Sequence, residues 1–215
     1  MAALAIWIAR HASRLDFADP EWAQHSSRPH DPPLSPVGRL EAEALACRLE
    51  RESIAHLFSS PFLRCVETAQ PVAARLRLAI KSEPALSEWL NRAWFPSFPD
   101  VLPVADLARH YPEVDRGYAA RGEAHYGESG EQALERAAHV ARRITCEFAG
   151  DLLLVGHGAS VLGAASGLLG EAHRWDRGGG FPELPYACLV VLVDEGAGWR
   201  LVLQGDVSHL RGLGG

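Results

Sequence analysis

The chain has 215 residues, of which 47% are hydrophobic and 22% charged, and its formal net charge is −6. That length suits one domain spanning residues 1–215, and the acidic balance excludes a general basic field for nucleic acid or an anionic membrane. Any anion bound by this protein must be held by arginines gathered locally.

The opening MAALAIWIAR is apolar but has no basic leader segment and no obvious cleavage site, so it reads as a core strand over residues 3–9 and not as a signal peptide. The strand runs directly into Arg10-His11, with Arg14 four positions after Arg10. A helix comes next in SPVGRLEAEALACRLE, with Ser35 as N-cap, Pro36 at the first helical position and Leu40, Ala44 and Cys47 along one stripe. Residues 54–59 form a second apolar strand, and SPFLRCVETAQPVAARLR is a helix that carries Arg64 in its first turn. Ser59 and Ser60 stand ready to cap it, and Pro71 is expected to kink it because proline has no N–H to donate.

A third strand is expected over 78–82, with Glu83 and Glu88 after it. Residues 89–127 carry Trp89, Trp94, Phe95, Phe98 and Tyr111, several prolines and no strong period. They read as an inserted lid over the sheet, its aromatics either core filler or the wall of a substrate pocket. Ser129 and Gln132 have capping-box spacing at the start of a helix over 129–148, whose apolar face is Leu134, Ala137, Val140, Ile144 and Phe148. The strand at 151–156 ends in His157-Gly158, and 187–194 with 199–204 form an antiparallel hairpin at a sheet edge.

Strands alternating with helices predict an α/β fold with a mostly parallel sheet flanked by helices on both faces. The cysteines, Cys47, Cys65, Cys146 and Cys188, lack metal or redox spacing and read as free, largely buried thiols. The longest apolar run, 187–193, is too short to cross a bilayer, which points to a cytoplasmic protein. The glycine run at 178–180 has no lysine after it and does not read as a nucleotide loop.

Ligands of open α/β sheets sit beyond the carboxyl ends of the strands. Three strand ends here supply Arg10, His11 and Arg14, then Arg64, then His157. Two histidines and three arginines at one rim suit a phosphoryl group. Guanidinium forks grip its oxygens, and a neutral imidazole is a competent nucleophile near pH 7. The leaving oxygen then needs a proton, which a partly buried glutamate with a raised pKa supplies.

The segments ARHASR, SSPFLRCVETA, GES at 127–129 and LLLVGHGAS resemble, in order, the motifs of the histidine phosphatase superfamily, whose fold is phosphoglycerate-mutase-like. The RHxxR opening, DPPLSPVGRLEA, EPALSEWL and PELPYACLVVL are similar to the branch holding the Sts phosphatase domains and the ecdysteroid-phosphate phosphatases. The resemblance implies His11 as nucleophile, Arg10 and Arg64 on the phosphoryl oxygens, His157 steadying the transferred group, Arg14 as a further phosphate contact and Glu88 as proton donor. Glu83 and Glu128 are rival donors, and Arg14 is alternatively a rim partner of Asp16 or Asp19. Ala12 replaces the family's glycine, and Glu67 stands where glutamine is commoner.

The implied activity is that of a metal-independent phosphomonoesterase with no cofactor, acting through a phosphohistidine on a phosphorylated small molecule or a phosphotyrosine-like ester. Two other readings are a mutase of the same fold and a non-catalytic phosphate-recognition module. A mutase needs extra basic residues around a small, highly anionic substrate, whereas 89–127 is aromatic. Relatives are often dimeric, so the resemblance carries a homodimer as an expectation that no residue fixes.

Overall fold

The structure, a computed structural model, describes residues 4–170 and 184–213. The glycine run at 178–180 and the first two residues of PELPY lie outside the described residues.

The first strand, β1 (Leu4–Arg10), shows why the sheet is central. Ile6 and Ile8 point into one core, and Trp7 and Ala9 into another on the opposite face, all four buried. A strand buried on both faces needs a helical layer on each side. The short helices α1 (Leu15–Ala18) and α2 (Trp22–His25) succeed β1. Then come α3 (Pro36–Leu49), β2 (Ile54–Ser59), α4 (Leu63–Leu76) and β3 (Ile80–Ser82). After a 3-10 turn at Pro84–Leu86, the chain forms α5 (Val104–His110), α6 (Gly130–Glu147), β4 (Asp151–Gly156) and α7 (Gly158–Leu169). The strands β5 (Leu189–Asp194) and β6 (Trp199–Asp206) complete a six-stranded sheet of order β3-β2-β4-β1-β5-β6.

β3, β2, β4 and β1 are mutually parallel, and β5 and β6 form the antiparallel edge that the sequence predicts. Register decides where function can sit. Arg10 pairs with Gly156, and Ser59 pairs with both Val155 and Ser82, so four strands finish at one level. The residues that leave their carboxyl ends therefore emerge at the same rim.

One core holds residues of α3 and α4, and the other holds residues of α6 and α7. The α6 face runs as expected through Ala137, Val140 and Ile144, all fully buried. α7 approaches α6 so closely that a Cβ on Gly163 would stand 2.4 Å from the Leu134 carbonyl oxygen. The capping box of Ser129 and Gln132 is present.

Several local expectations are corrected. The buried stripe of α3 is Gly38, Ala42, Leu45, Ala46 and Leu49, while Leu40 and Cys47 are exposed. Contact between Gly38 and the loop after β1 turns the helix so. Ser59 and Ser60 do not cap α4: the Leu63 N–H donates to Asp31 Oδ1 at 2.7 Å, and the serine hydroxyls are engaged elsewhere. The cysteines are all free, but only Cys65 and Cys188 are buried.

The 89–127 segment divides its aromatics. Phe95 is buried against the α3–α4 side of the core, whereas Trp94 and Phe98 are exposed. Among the described residues, no helix is long and apolar enough to cross a membrane.

Candidate active site

His11 comes directly after β1 and is held there by backbone: its N–H donates to the Gly156 carbonyl at 2.8 Å, and its own carbonyl accepts from Ala187 N–H at 3.2 Å. The side chain is 1% exposed. Its Nδ1 lies 2.8 Å from the Ala12 carbonyl oxygen. A carbonyl only accepts, so Nδ1 carries the proton and Nε2 keeps its lone pair. Burial, with the charge of Arg64 added, holds this imidazole well below its ordinary 6.5, hence neutral at pH 7.

His157 is the residue between β4 and α7, and its N–H donates to Ser160 Oγ at 2.7 Å. Its ring centroid is 5.2 Å from that of His11. Nε2 lies 2.9 Å from Ser60 Oγ, and Nδ1 lies 3.2 Å from Arg64 Nη2 and 3.4 Å from Glu88 Oε2. Burial and Arg64 lower this imidazole to about 4, outweighing the opposite pull of Glu88. The two histidines are therefore uncharged together.

Arg64, in the first turn of α4, is 1% exposed, and its Nε and Nη1 find no partner among the described residues. A buried guanidinium with free donors is costly unless an anion takes them. The amino ends of α4 and α7 face the same place and add a favourable field for negative charge. Arg10 stacks on Tyr186 at 4.2 Å, and its Nη1 donates to the Leu184 carbonyl.

Arg14 is paired with Asp16 through Nε at 2.9 Å and through Nη2. Even so, its charge reaches the centre, contributing to the lowered basicity of both Arg64 and His157. The rim-partner reading of Arg14 describes the ligand-free chain.

Of the three candidate glutamates, only Glu88 joins this group, with Oε2 4.0 Å from Arg64 Nη2. Burial alone would raise its carboxyl, yet His157, Arg64 and the Trp89 N–H together bring it down to about 2. That corrects the expectation of a raised pKa: Glu88 stands as a counter-ion to Arg64. Glu83 accepts instead from Tyr118 Oη and from the backbone N–H groups of Ala85, Arg121 and Gly122. Glu128 is paired with Arg136.

Residues to which the sequence assigns no role complete the frame. Thr68 Oγ1 accepts the Ala12 N–H at 3.0 Å and donates to the Arg64 carbonyl at 2.7 Å, linking the His11 loop to the helix that carries Arg64. Ala12 itself has no positive φ, so the missing glycine costs nothing there. Glu67 uses both carboxylate oxygens, on Leu34 N–H at 2.6 Å and Tyr111 Oη at 2.8 Å. Cys65 Sγ lies 3.4 Å from His157 Nε2, but burial pushes its thiol up to about 12, so it is no nucleophile.

His11, Glu88 and His157 have ligand atoms within 4.8 Å of one another, a spacing a metal could use. Arg64 puts fixed positive charge beside two of those donors, so the set favours an anion over a cation. A neutral nucleophile, two guanidinium groups and a carboxylate around one point can transfer a phosphoryl group.

A family model described as the histidine phosphatase superfamily, branch 1, matches residues 6–207. Among curated proteins, the chain is 27% identical over 237 aligned positions to an ecdysteroid-phosphate phosphatase of Drosophila melanogaster, covering 92% of this chain and 31% of that protein. It is 32% identical over 146 positions to the human ubiquitin-associated and SH3 domain-containing protein B, covering 61% of this chain and 22% of that one. The chain thus spans less than a third of the length of these relatives. Among solved structures, the ecdysone phosphate phosphatase of Bombyx mori in complex with tungstate superposes with a TM-score of 0.79 at 23% identity, covering 94% of this chain and 93% of that one. A mycobacterial glucosyl-3-phosphoglycerate phosphatase gives 0.64 at 20%, covering 94% and 99%. These likenesses agree with the α/β fold.

Proposed function

This chain belongs to the histidine phosphatase superfamily, and from that membership we propose that it hydrolyses phosphate monoesters without a metal, through a phosphohistidine at His11. The observation that carries the reading is the Nδ1 contact of His11 with the Ala12 carbonyl, which aims a free Nε2 lone pair into the space beside the unpartnered Arg64 donors.

In the first step Nε2 forms a bond to phosphorus as the bond from phosphorus to the ester oxygen breaks. Arg10, Arg64 and His157 steady the three equatorial oxygens, and Arg14 adds a further contact once it leaves Asp16. The departing oxygen takes a proton from the Glu88 carboxyl group. In the second step the Glu88 carboxylate takes a proton from water as its oxygen bonds to phosphorus. The phosphorus–nitrogen bond breaks, returning neutral His11 and inorganic phosphate.

Glu88 is ionised beside His157 and Arg64, so a protonated acid must be made by substrate binding. A phosphoryl dianion beside it offsets Arg64 and favours the neutral carboxyl.

The substrate class is a small or aryl phosphate ester. Tyr186, whose ring is 5.4 Å from that of His11, and Phe17, which lies against Arg14, give the pocket mouth flat apolar surfaces. The named activity of the insect relatives, on an ecdysteroid phosphate, is in keeping with a bulky apolar alcohol. This apolar mouth favours hydrolysis over a mutase reaction on a small acid.

The test is turnover of p-nitrophenyl phosphate in excess EDTA by wild type and His11→Ala. Turnover that survives EDTA and disappears in the variant supports the reading. Turnover abolished by EDTA and restored by a metal would overturn it. Phosphoryl transfer to a second alcohol without release of phosphate would point to a mutase.

A further inference from the structure

The segment that carries Glu88 is irregular between the 3-10 turn and Asn91, so something else must fix the carboxylate to within hydrogen-bond reach of the leaving atom. Arg136, on α6, does this with a single side chain, 5% exposed. Its Nη1 donates to the carbonyls of Ala85 at 2.7 Å and Ser87 at 3.2 Å, and its Nη2 donates to the carbonyl of Glu88 itself at 3.0 Å. Nε and Nη2 also bond the two carboxylate oxygens of Glu128, Nε at 3.0 Å. Glu128 returns to the same segment: Oε1 accepts from Leu90 N–H at 3.2 Å, and its carbonyl accepts from Trp89 Nε1 at 2.9 Å. Gly127 N–H closes the ring on the Leu90 carbonyl at 2.7 Å.

We infer that the buried Arg136–Glu128 pair is a positioning device for the proton donor, setting where the Glu88 carboxyl group stands relative to His157 and the leaving oxygen. This rests on the reading of Glu88 as the acid. A structural pair needed only for stability could bond any backbone groups. This one holds the carbonyls of Ala85, Ser87 and Glu88 together with the N–H of Leu90, and touches neither histidine nor any of the phosphate-facing arginines. Ala85, Leu86 and Leu90 anchor the two ends of the segment in the core, and a cavity of about 770 Å³ is lined by Arg136, Glu128, Gln132 and His139 among others, so between those anchors the pair holds the segment by polar contacts. Lysine at position 136 would keep the charge but lose the five-donor fork that spans these acceptors.

The experiment is a leaving-group series of phosphate esters, from dinitrophenyl through phenyl to alkyl, with Arg136→Lys, Glu128→Gln and Glu88→Gln beside wild type. Inhibition by vanadate and thermal unfolding are measured on each. Arg136→Lys is expected to lose ~10-fold or more on phenyl and alkyl esters and little on the dinitrophenyl ester, with vanadate inhibition unchanged. Glu128→Gln is the second variant, near-isosteric and leaving the Arg136 fork whole, and should steepen the series in the same sense. Arg136→Lys combined with Glu88→Gln should be no worse than Glu88→Gln alone.

Equal losses across the series in Arg136→Lys and Glu128→Gln, with Glu88→Gln alone steepening it, would overturn the inference and leave the acid in place. Equal losses in Glu88→Gln itself would remove the acid reading, and this inference with it.

Discussion

Nδ1 of His157 lies 3.4 Å from Oε2 of Glu88, and at neutral pH this pair is a neutral imidazole beside an ionised carboxylate: the imidazole is lowered to about 4 and the carboxyl to about 2. His11 is neutral as well. In the proposed mechanism the proton that the leaving oxygen requires therefore arrives with the substrate. A phosphate monoester binds its second proton with a pKa of about 6, so the monoanion can deliver it to Glu88 on binding.

These protonation states fix the sign of the pH dependence of kcat/KM. Above about pH 6 the monoanion disappears and kcat/KM should fall about tenfold per pH unit. On the acid side it should rise as His11 loses its proton, at a pH well below 6.5. The expected optimum is acidic. In Glu88→Gln the alkaline fall should flatten, because no carboxyl remains to be charged. A wild-type kcat/KM that climbs between pH 6 and 8 would mean that the dianion reacts with Glu88 ionised, and Glu88 would then not be the acid.

Arg14 gives a test on the rim. It must exchange Asp16 for a phosphate oxygen if it contacts the substrate, and the ion pair is partly solvent-exposed, so the exchange is cheap. Asp16→Asn should tighten inhibition by inorganic phosphate by a few-fold, and Arg14→Ala should raise KM more than it lowers kcat. Phosphate inhibition identical in all three proteins would confine Arg14 to the rim.

The histidines and arginines are legible in the sequence because each directly succeeds a strand or opens a helix, and parallel register brings such points together without further information. The acid is less legible. Glu83, Glu88 and Glu128 occur in similar short motifs, and only tertiary partners separate them: backbone and tyrosine donors on Glu83, a guanidinium fork on Glu128, His157 on Glu88. The α3 stripe differs from its sequence expectation for the same kind of reason. Helical period permits several apolar faces, and contact between Gly38 and Ser13 selects one. Ser60 looks like a helix-capping residue in sequence and Thr68 carries no signal at all, and only the packed loops show that they bond His157 and Ala12.

Gly38 makes that contact testable. A Cβ there would stand 2.0 Å from the Ser13 carbonyl oxygen, which already accepts the Ser35 N–H at 2.9 Å. Ser13 is further tied by its N–H and hydroxyl to Glu41, at 2.8 and 2.9 Å. Gly38→Ala should cost about 1–3 kcal/mol from overpacking and, by pushing the loop that holds His11 to Arg14, lower kcat by ~10-fold or more. Urea denaturation and turnover on one aryl ester measure both. Unchanged values for both would show that the loop yields freely.

Asp31, 1% exposed, caps α4 through the Leu63 N–H, and burial raises its carboxyl from 3.8 to about 6 despite that bond and the nearby charge of Arg64. The folded chain holds this proton more tightly than the unfolded one. The group thus favours folding while protonated, and that contribution is lost as pH rises from about 4 to about 6. The loss amounts to roughly 3 kcal/mol at most. Asp31→Asn keeps an oxygen for Leu63 N–H and has no proton to lose, so its stability relative to wild type should rise across that window. Parallel stability curves for the two proteins between pH 4 and 7 would refute the assignment.

Glu83 is a buried carboxylate whose partners set it apart from Glu88, the proposed proton donor. It is fully buried and accepts from four donors, two on each oxygen: the N–H groups of Ala85 and Gly122 on Oε1, Tyr118 Oη and the Arg121 N–H on Oε2. Replacing one oxygen by an amide in Glu83→Gln turns a donor toward two donors and leaves them unsatisfied, at a cost of about 2–4 kcal/mol. For a chain of this size that is a fall of roughly 4–16 °C in Tm. The leaving-group dependence should keep its wild-type slope, because nothing about Glu88 has changed. A slope as steep as that of Glu88→Gln, in a variant with unaltered Tm, would transfer the role of proton donor to Glu83.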